Sequence, residues 1–297
     1  GCTMHTVVPR DAEGRSPYRM GVVRPNLAGL DHAEAEALVA HVHEATGAFV
    51  QIVNHNVRDR QYSVTGEVAA LERLEAELKK RTRGNKPAWL MVPGIDVPFH
   101  SDVLRDAVPA FREVLQKRLP PTFAPERLVG RYIPNLIARP FSLEADFVRE
   151  VYEKSGCAEL ADLNAWKGRD AELARLLLVE LLAWQFASPV RWIETQEVML
   201  TKMGVERVIE VGVGHQPTLV NMLRQSLDAI APRPTVVIQH AEADLDLVLE
   251  RDADDEAPPA PAPEPTPVAA PVVVSVEIER RPPVAGTLRS ADPLVDP

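Results

Sequence analysis

The sequence has few cysteines and no long apolar run, and both absences restrict what the protein can be. Its two cysteines, Cys2 and Cys157, cannot form a disulfide framework, which is typical of a protein in a reducing cytoplasm. No run of about 18 apolar residues occurs, and no basic segment precedes an apolar one near residue 1. We therefore predict neither a membrane span nor a secretory signal, and we predict a cytoplasmic location.

A strongly basic composition is also missing. The formal net charge is -10, and residues 242–256 contribute -7 of it through eight acidic residues and one arginine. The remainder is nearly balanced, which argues against a nucleic-acid partner because such a partner requires a basic face. The hydrophobic fraction of 45% and the charged fraction of 26% are those of an ordinary globular protein. At 297 residues, the chain can hold one large domain or two modest ones.

Residues 17–95 have the pattern of a ferredoxin-like unit. Strands are predicted at 18–23, 49–53, 62–65 and 88–92. One helix begins at a capping box of Asp31 and Glu34 and ends at Gly47, and a second begins at Glu67 and ends before Gly84. The resulting order β-α-β-β-α-β is the split βαβ pattern. The residues expected on the buried helix faces are Ala35, Leu38, Val39, Val42, Val68, Leu71, Leu74 and Leu78.

Residues beyond 100 continue the alternation, which predicts an α/β layer. The predicted helices span 101–119, 143–154, 170–182 and 191–203, and another helix starts at Pro217. The predicted strands span 208–211 and 235–238, and residues 131–136 are predicted as a short strand that runs into a turn. After residue 251 the composition changes, since eleven of the 27 prolines lie in the last 47 residues. This tract cannot build a core, so we predict a disordered, semi-rigid Pro/Ala-rich linker.

The stretch GIDVPFHS at residues 94–101 contains the leading catalytic candidate, His100. Pro98 disfavours helix for Val97, and Ser101 is a natural N-cap for the helix that follows. His100 therefore lies in a strand-to-helix loop, a common position for a residue that takes part in chemistry. A helix N-terminus nearby favours the neutral, basic imidazole. The alternative is a partly buried histidine with a satisfied hydrogen bond.

Other candidate residues have weaker support. His41 and His43 face different sides of a helix, so a metal site that joins them with His55 is disfavoured, and we predict no metal. Cys157 has no base that we can assign to it as a nucleophile. The Gly212-x-Gly214 turn is too short for a dinucleotide-binding fingerprint.

Two asparagines end a strand that we expect to face a cleft. Asn54 and Asn56 either contact substrate there or simply form a turn, which is the usual role of asparagine at a strand end. His215 lies in a turn for which we find no role, and a surface position is the simplest interpretation.

Residues 94–101 resemble the histidine motif of the malonyl/palmitoyl transferase region of type I fatty acid synthases, the fungal and actinobacterial kind. The resemblance covers roughly residues 1–230, and the Pro/Ala tract is similar to the linker that these synthases place before their acyl carrier domain. Other stretches resemble the same family in the same order. They are VPRD at 8–11 with GRS at 14–16, VNHN at 53–56, GRYIPN at 130–135, ARPF at 138–141, LAWQFASPVRWIETQ at 182–196 and PTLVNM at 217–222.

The resemblance implies an acyltransferase that moves malonyl groups, and potentially palmitoyl groups, between coenzyme A and acyl carrier protein by a serine-histidine mechanism. His100 matches the general base, and Gln185 matches the residue whose backbone carbonyl holds the other ring nitrogen of the histidine. Phe99 matches an aromatic residue that excludes an α-methyl group from the substrate, although core packing explains it equally well. We add Ser101 and Asn54 as substrate contacts.

The implied fold is an α/β-hydrolase-like acyltransferase core with an inserted ferredoxin-like subdomain. Residues 1–16 would end an upstream part of the core, and residues 17–95 would form the subdomain. Residues 96–240 would form the C-terminal part of the core, and residues 241–297 the linker. No G-x-S-x-G motif occurs in the 297 residues, so we expect the serine and a carboxylate-binding arginine upstream, with truncation at both ends and no turnover by this segment alone.

The expected partners are an acyl carrier domain that carries phosphopantetheine, the other domains of the same synthase, and further copies in a homo-oligomer. Coenzyme A thioesters such as malonyl-CoA are expected as substrates, and no cofactor is expected to be bound by this segment. The alternative to an acyltransferase is a non-catalytic remnant or interaction module of a megasynthase.

Overall fold

Up to residue 92 the elements follow the predicted order β-α-β-β-α-β, and four α-helices then precede the last two described strands. The computed structural model describes residues 6–212 and 217–249. The described strands are β1 (Tyr18–Val23), β2 (Val50–Val57), β3 (Gln61–Glu67), β4 (Trp89–Val92), β5 (Arg207–Glu210) and β6 (Val237–His240). The described α-helices are α1 (His32–Thr46), α2 (Val68–Arg81), α3 (Val108–Arg118), α4 (Ala145–Ser155), α5 (Asp170–Gln185), α6 (Trp192–Glu197) and α7 (Leu219–Leu227).

The first four strands form one antiparallel sheet in the order β2-β3-β1-β4. Together with α1 and α2, this order confirms the ferredoxin-like pattern. The predicted capping box begins α1, because the Asp31 carboxylate accepts from the N–H of Glu34 at 2.8 Å and the Glu34 carboxylate accepts from the N–H of Asp31 at 3.0 Å. Gly47 ends the helix in the left-handed conformation, at φ 65°.

A hydrophobic cluster holds the two helices of this unit against the sheet. Most of the residues predicted on the buried helix faces lie in it, but Val68 is 38% exposed and Ala70 is buried in its place. At about 100° per residue, Val68 and Ala70 flank opposite edges of the face formed by Leu71, Leu74 and Leu78, and Ala70 lies closer to that face than Val68 does. The prediction for Val68 was therefore wrong.

The second half of the chain is organised around α5, which packs against α3 and α4. Its buried residues include Leu173, Leu177 and Leu181, as predicted, although Arg169 is the N-cap residue and Asp170 begins the helix. Glu180 is only 1% exposed within this apolar surface. Its carboxylate accepts from Arg112 Nε at 2.6 Å and from Arg112 Nη2 at 2.8 Å, a bidentate ion pair that apolar spacing did not predict.

Prolines account for two differences from the predicted elements. Residues 132–134 are irregular instead of a strand, the predicted turn follows at 135–137, and the carbonyl of Pro134 accepts from the N–H of Ala138 at 2.8 Å. Proline has no N–H to contribute to a strand ladder. The helix predicted at 101–119 is divided into a 3-10 helix, Asp102–Ala107, and α3, with Pro109 in the first turn of α3.

Two further helices differ from the sequence prediction at their ends. The helix predicted at 191–203 is α6 followed by a π-helical turn, Val198–Lys202. Pro217 precedes α7, whose N-cap residue is Thr218. The strands predicted at 208–211 and 235–238 correspond to β5 and β6, which pair in parallel. The last two residues of the turn predicted at 212–214, together with His215 and the linker from residue 250 onwards, lie outside the described residues.

Two general features concern the described residues as a whole. The described residues up to 249 belong to one compact unit by their contacts, which do not test a division within that unit. The domain boundaries at 16/17, 95/96 and 240/241 therefore stay a prediction. Within the described part of the chain, no helix has both the length and the apolar character needed to cross a membrane.

The N-terminus of α7 is capped by a buried carboxylate, which makes the stability of this region dependent on pH. Glu210 accepts from the N–H groups of Thr218 at 3.1 Å, Leu219 at 3.0 Å and Val220 at 3.0 Å. Burial tends to raise the pKa of Glu210, but these donated hydrogen bonds outweigh it and lower the pKa.

We expect Glu210 to stabilise the fold above the pKa of an unfolded glutamate and to lose this effect as the pH falls through its lowered folded-state pKa. The urea midpoint of the wild type should fall more than that of Glu210→Gln between about pH 5 and pH 2. Glu206→Gln, at an exposed position four residues earlier along the chain and just before β5, is the control. Parallel pH profiles for wild type and Glu210→Gln would contradict the prediction.

Candidate active site

His100 follows Pro98 in a loop that imposes an unusual backbone conformation. Its φ is 62°, in the left-handed region that non-glycine residues rarely adopt. The N–H of His100 donates to the carbonyl of Phe186 at 2.7 Å, which holds the loop against the end of α5. Strained residues of this kind persist where surrounding contacts hold them, and they concentrate at functional sites.

The imidazole of His100 is oriented by a backbone carbonyl. Nδ1 lies 2.9 Å from the carbonyl oxygen of Gln185. A carbonyl oxygen only accepts hydrogen bonds, so Nδ1 carries the hydrogen and Nε2 of the neutral ring carries the lone pair that can take a proton. The side chain of Gln185 is exposed, and only its backbone makes this contact. This is the arrangement that the resemblance implied for these two residues.

The surroundings of His100 favour its neutral form. Burial lowers the pKa of His100, and the carbonyls of Gln185 and Ser188 offset this effect only in part. A histidine with a lowered pKa is available as a base at neutral pH.

A cavity of about 610 Å³ opens beside the ring of His100. Most of its wall is apolar or aromatic, and the polar groups are few. The lining residues are His100, Leu128, Tyr132, Ile133, Asn135, Leu178, Leu182, Gln185, Val190, Trp192 and Thr195. The cavity therefore combines a histidine that can act as a base at neutral pH with a large apolar surface.

Asn135 joins two of the stretches that line this cavity. Its Nδ2 donates to the carbonyl of Pro189 at 3.1 Å, and its Oδ1 accepts from the N–H of Arg191 at 2.9 Å. The turn between α5 and α6 is thereby attached to the segment at 130–135. Asn135 was not among the predicted site residues, and its one signal in the sequence was its position within the GRYIPN stretch.

The N-terminal segment also contacts the histidine loop. Arg10 Nη1 donates to Asp96 Oδ2 at 2.7 Å, and Val8 packs in the same hydrophobic cluster as Val97 and Leu104. The VPRD stretch and the GIDVPFHS stretch, far apart in sequence, are therefore adjacent in the fold.

The three predicted substrate contacts lie close to His100 in sequence or in the fold, but none lines the described cavity. Ser101 is fully buried, and its Oγ donates to the carbonyl of Pro98 at 2.5 Å. Phe99 packs, partly buried, against the hydrophobic cluster that contains Phe186. Asn54 forms an isolated parallel bridge with Val190, a residue that does line the cavity. Their roles toward substrate stay predictions.

The weaker candidates are explained by local structure. Asn56 is buried, and its carbonyl accepts from Gln196 Nε2 at 3.0 Å. His41 is exposed, and Nδ1 of His43 lies 2.9 Å from the carbonyl of Ala48. Burial, with a smaller effect of the nearby Glu180 charge, raises the pKa of Cys157 to about 12, so its thiol is poorly suited to be a nucleophile.

Comparison with known proteins shows which sequences this chain resembles. No family model matches the chain. The chain is 38% identical to "Fatty acid synthase 2" of Mycosarcoma maydis over 272 residues, covering 77% of the chain and 7% of that protein. It is 33% identical over 196 residues to the fatty acid synthase beta subunit hexB of Dothistroma septosporum, covering 54% of the chain and 10% of that protein. The chain thus spans a tenth or less of these two relatives.

Solved structures extend the comparison to the fold. The acyl-carrier-protein S-malonyltransferase of Burkholderia pseudomallei matches with a TM-score of 0.55 at 22% identity, over 84% of the chain and 62% of that protein. The chain has the malonyltransferase fold. A malonyl-transacylase solved in complex with a type II polyketide acyl-carrier protein matches with a TM-score of 0.53 at 22% identity, with the same two coverages. This fold, a mixed α/β arrangement, agrees with the predicted fold class.

Proposed function

We propose that this chain is the histidine-bearing segment of an acyltransferase that loads malonyl groups within a fatty acid synthase. The observation that carries the proposal is the hydrogen bond from His100 Nδ1 to the carbonyl of Gln185, which leaves Nε2 as the basic nitrogen beside a large cavity. The sequence similarity to fatty acid synthases and the malonyltransferase fold support the same conclusion.

In the proposed reaction, a serine supplied from outside the 297 residues is the nucleophile. Nε2 of His100 takes the proton of the serine hydroxyl as its oxygen attacks the thioester carbonyl of malonyl-CoA. The C–S bond breaks, and the departing thiolate takes the proton from Nε2. In the second half-reaction, a phosphopantetheine thiol gives its proton to Nε2 and attacks the acyl-serine, whose oxygen recovers that proton on leaving.

The described cavity lining suits the acyl chain of a substrate, but it offers no lysine or arginine for a carboxylate. Its apolar wall suits an acyl chain, so palmitoyl-CoA is a second proposed donor. Among the described lining residues there is no lysine or arginine, so the malonyl carboxylate would be bound by an arginine that accompanies the serine. Three predicted substrate contacts would act indirectly. Ser101 and Phe99 would position the loop that carries His100, and Asn54 would position Val190, which lines the cavity.

We propose the following organisation for the complete enzyme. Residues 1–16 and 96–240 belong to the acyltransferase core, residues 17–95 form the ferredoxin-like subdomain, and residues 241–297 lead to an acyl carrier domain. The proposed partners are that carrier domain, the other synthase domains and further copies in a cytoplasmic homo-oligomer. The transacylase structure with a bound acyl-carrier protein supports a carrier as partner.

The test is covalent loading, followed by intact mass, of the polypeptide that carries both this chain and the serine. We expect a malonyl adduct after incubation with malonyl-CoA, and a palmitoyl adduct if the apolar wall binds the longer chain. Replacing the serine by alanine should abolish both adducts.

If neither malonyl-CoA nor palmitoyl-CoA gives an adduct, the proposal is contradicted. That result would favour the alternative, a non-catalytic interaction module, which the lack of a G-x-S-x-G motif in the 297 residues keeps under consideration.

A further inference from the structure

A second group of ionisable side chains lies apart from the His100 cavity. It consists of His32 and Glu36 on α1 and His55 on β2, and one nitrogen or oxygen atom of each lies within 4.8 Å of the others. None of the three lines the His100 cavity. The i, i+4 spacing puts His32 and Glu36 on one face of α1, and packing of α1 on β2 brings His55 beside them. The rings of His32 and His55 are 5.6 Å apart, centroid to centroid.

The spacing of these atoms suits a small coordinated cation. Nε2 of His32 lies 3.4 Å from Oε1 of Glu36. A tetrahedral zinc ion with bonds of about 2.0–2.2 Å separates its ligand atoms by about 3.4 Å. Two of the three ligand atoms are therefore already at a coordination spacing, and the third needs a movement on the order of 1 Å. Two imidazoles with a carboxylate are a donor set of the zinc class, whereas magnesium prefers oxygen ligands alone.

Contacts behind His32 hold its ring in one orientation. Nδ1 of His32 lies 2.9 Å from the hydroxyl of the fully buried Tyr62, and the N–H of His32 donates to Asp59 Oδ1 at 2.7 Å. Nε2 is thereby directed toward Glu36. With a metal ion on Nε2, Nδ1 would donate its hydrogen to the Tyr62 hydroxyl oxygen, and metal-binding histidines almost always donate the second ring N–H in this way.

The cleft around the three residues leaves room for further ligands. It has a volume of about 350 Å³ and is also lined by Arg58, Arg191 and Glu194. Arg58 pairs with Glu197 at 2.9 Å, and Arg191 pairs with Glu194 at 3.0 Å. Because each guanidinium is paired with a carboxylate, neither presents an uncompensated positive charge to a cation, and the cleft can admit water.

We propose that His32, Glu36 and His55 form a binding site for a divalent transition-metal ion of the zinc class, with water completing the coordination. The bound ion would join the start of α1 to β2 and so stiffen the ferredoxin-like unit. Helical spacing separates His41 from His43 and disfavours a metal set of these two with His55, whereas the fold brings His32 and Glu36 to His55. This proposal does not depend on the acyltransferase proposal.

The test is titration of the full chain with Zn²⁺ by calorimetry, accompanied by Co²⁺ substitution and visible absorption. We expect a single high-affinity Zn²⁺ per chain and a Co²⁺ spectrum of low coordination number. His32→Ala and Glu36→Gln should each weaken Zn²⁺ binding by at least about tenfold, the lower limit for loss of even an outer partner. Mg²⁺ should not compete.

His41→Ala is the matched control, since His41 is an exposed histidine on the same helix. It should bind Zn²⁺ as the wild type does. Circular dichroism checks that each variant folds, and Glu36→Gln, at an exposed position, serves as the test if His32→Ala does not fold. Failure of the wild type to bind Zn²⁺, or equal Zn²⁺ affinity in wild type and Glu36→Gln, would overturn the proposal.

Discussion

Replacing His100 by alanine is expected to slow acyl loading from malonyl-CoA by about 10²–10⁴-fold, the range for loss of a positioned general base. The expected loss follows from the ring geometry: the carbonyl of Gln185 holds Nδ1–H, and burial lowers the pKa of His100, so the wild-type ring is a neutral base. The measurement is the rate of adduct formation by intact mass, in the polypeptide that carries the serine.

Two further variants make this prediction specific. Gln185→Ala keeps the backbone carbonyl and removes only an exposed side chain, so its loss of rate should be far smaller than that of His100→Ala. His41→Ala removes a remote, exposed histidine and controls for the substitution itself. If His100→Ala loads at the wild-type rate while remaining folded, His100 has a structural role and the proposed mechanism is wrong.

Removing Arg112 is expected to destabilise the fold by about 3–5 kcal/mol, because it leaves a buried carboxylate without its partner. Glu180 is almost fully buried on α5, and both of its oxygens accept from the Arg112 guanidinium, at 2.6 and 2.8 Å. The measurement is the free energy of unfolding in urea for Arg112→Leu at about pH 7.

The reverse substitution should cost less. In Glu180→Leu the remaining guanidinium, whose side chain is 25% exposed, can turn toward water. The double variant Arg112→Leu/Glu180→Leu should recover most of the stability, because replacing a buried ion pair by apolar residues is often neutral. A double variant that is as unstable as Arg112→Leu would show that the loss comes from packing and not from the unpaired charge.

Local signals identified the elements of the ferredoxin-like unit because the contacts that define each element are short in sequence. The capping box of Asp31 and Glu34 and the glycine at position 47 act within one helical turn, so their residue types suffice to place α1. Proline was harder to interpret: Pro134 lies in an irregular segment predicted as a strand, and Pro109 marks the change from 3-10 to α-helix. Whether a proline ends or only redirects a segment depends on packing around it.

The candidate site was partly visible in the sequence. His100 was identified from its loop position, and the role of the Gln185 carbonyl came from resemblance to a family, not from spacing. Asn135 was missed, because its two hydrogen bonds reach residues more than 50 positions away. Nothing in the composition of a turn indicates which distant backbone groups it will meet.

The sequence by itself determined the order of strands and helices in the ferredoxin-like unit, the capped start of α1 and the placement of His100 between an extended segment and a helix. Only the tertiary structure decided that His100 meets Gln185, that Arg112 pairs with Glu180, and that His32 and Glu36 lie beside His55. Backbone propensity and capping depend on neighbours within about four residues. The contacts of His100, Arg112 and His55 named above join residues up to 85 positions apart. They form only when apolar faces pack and bring those residues together.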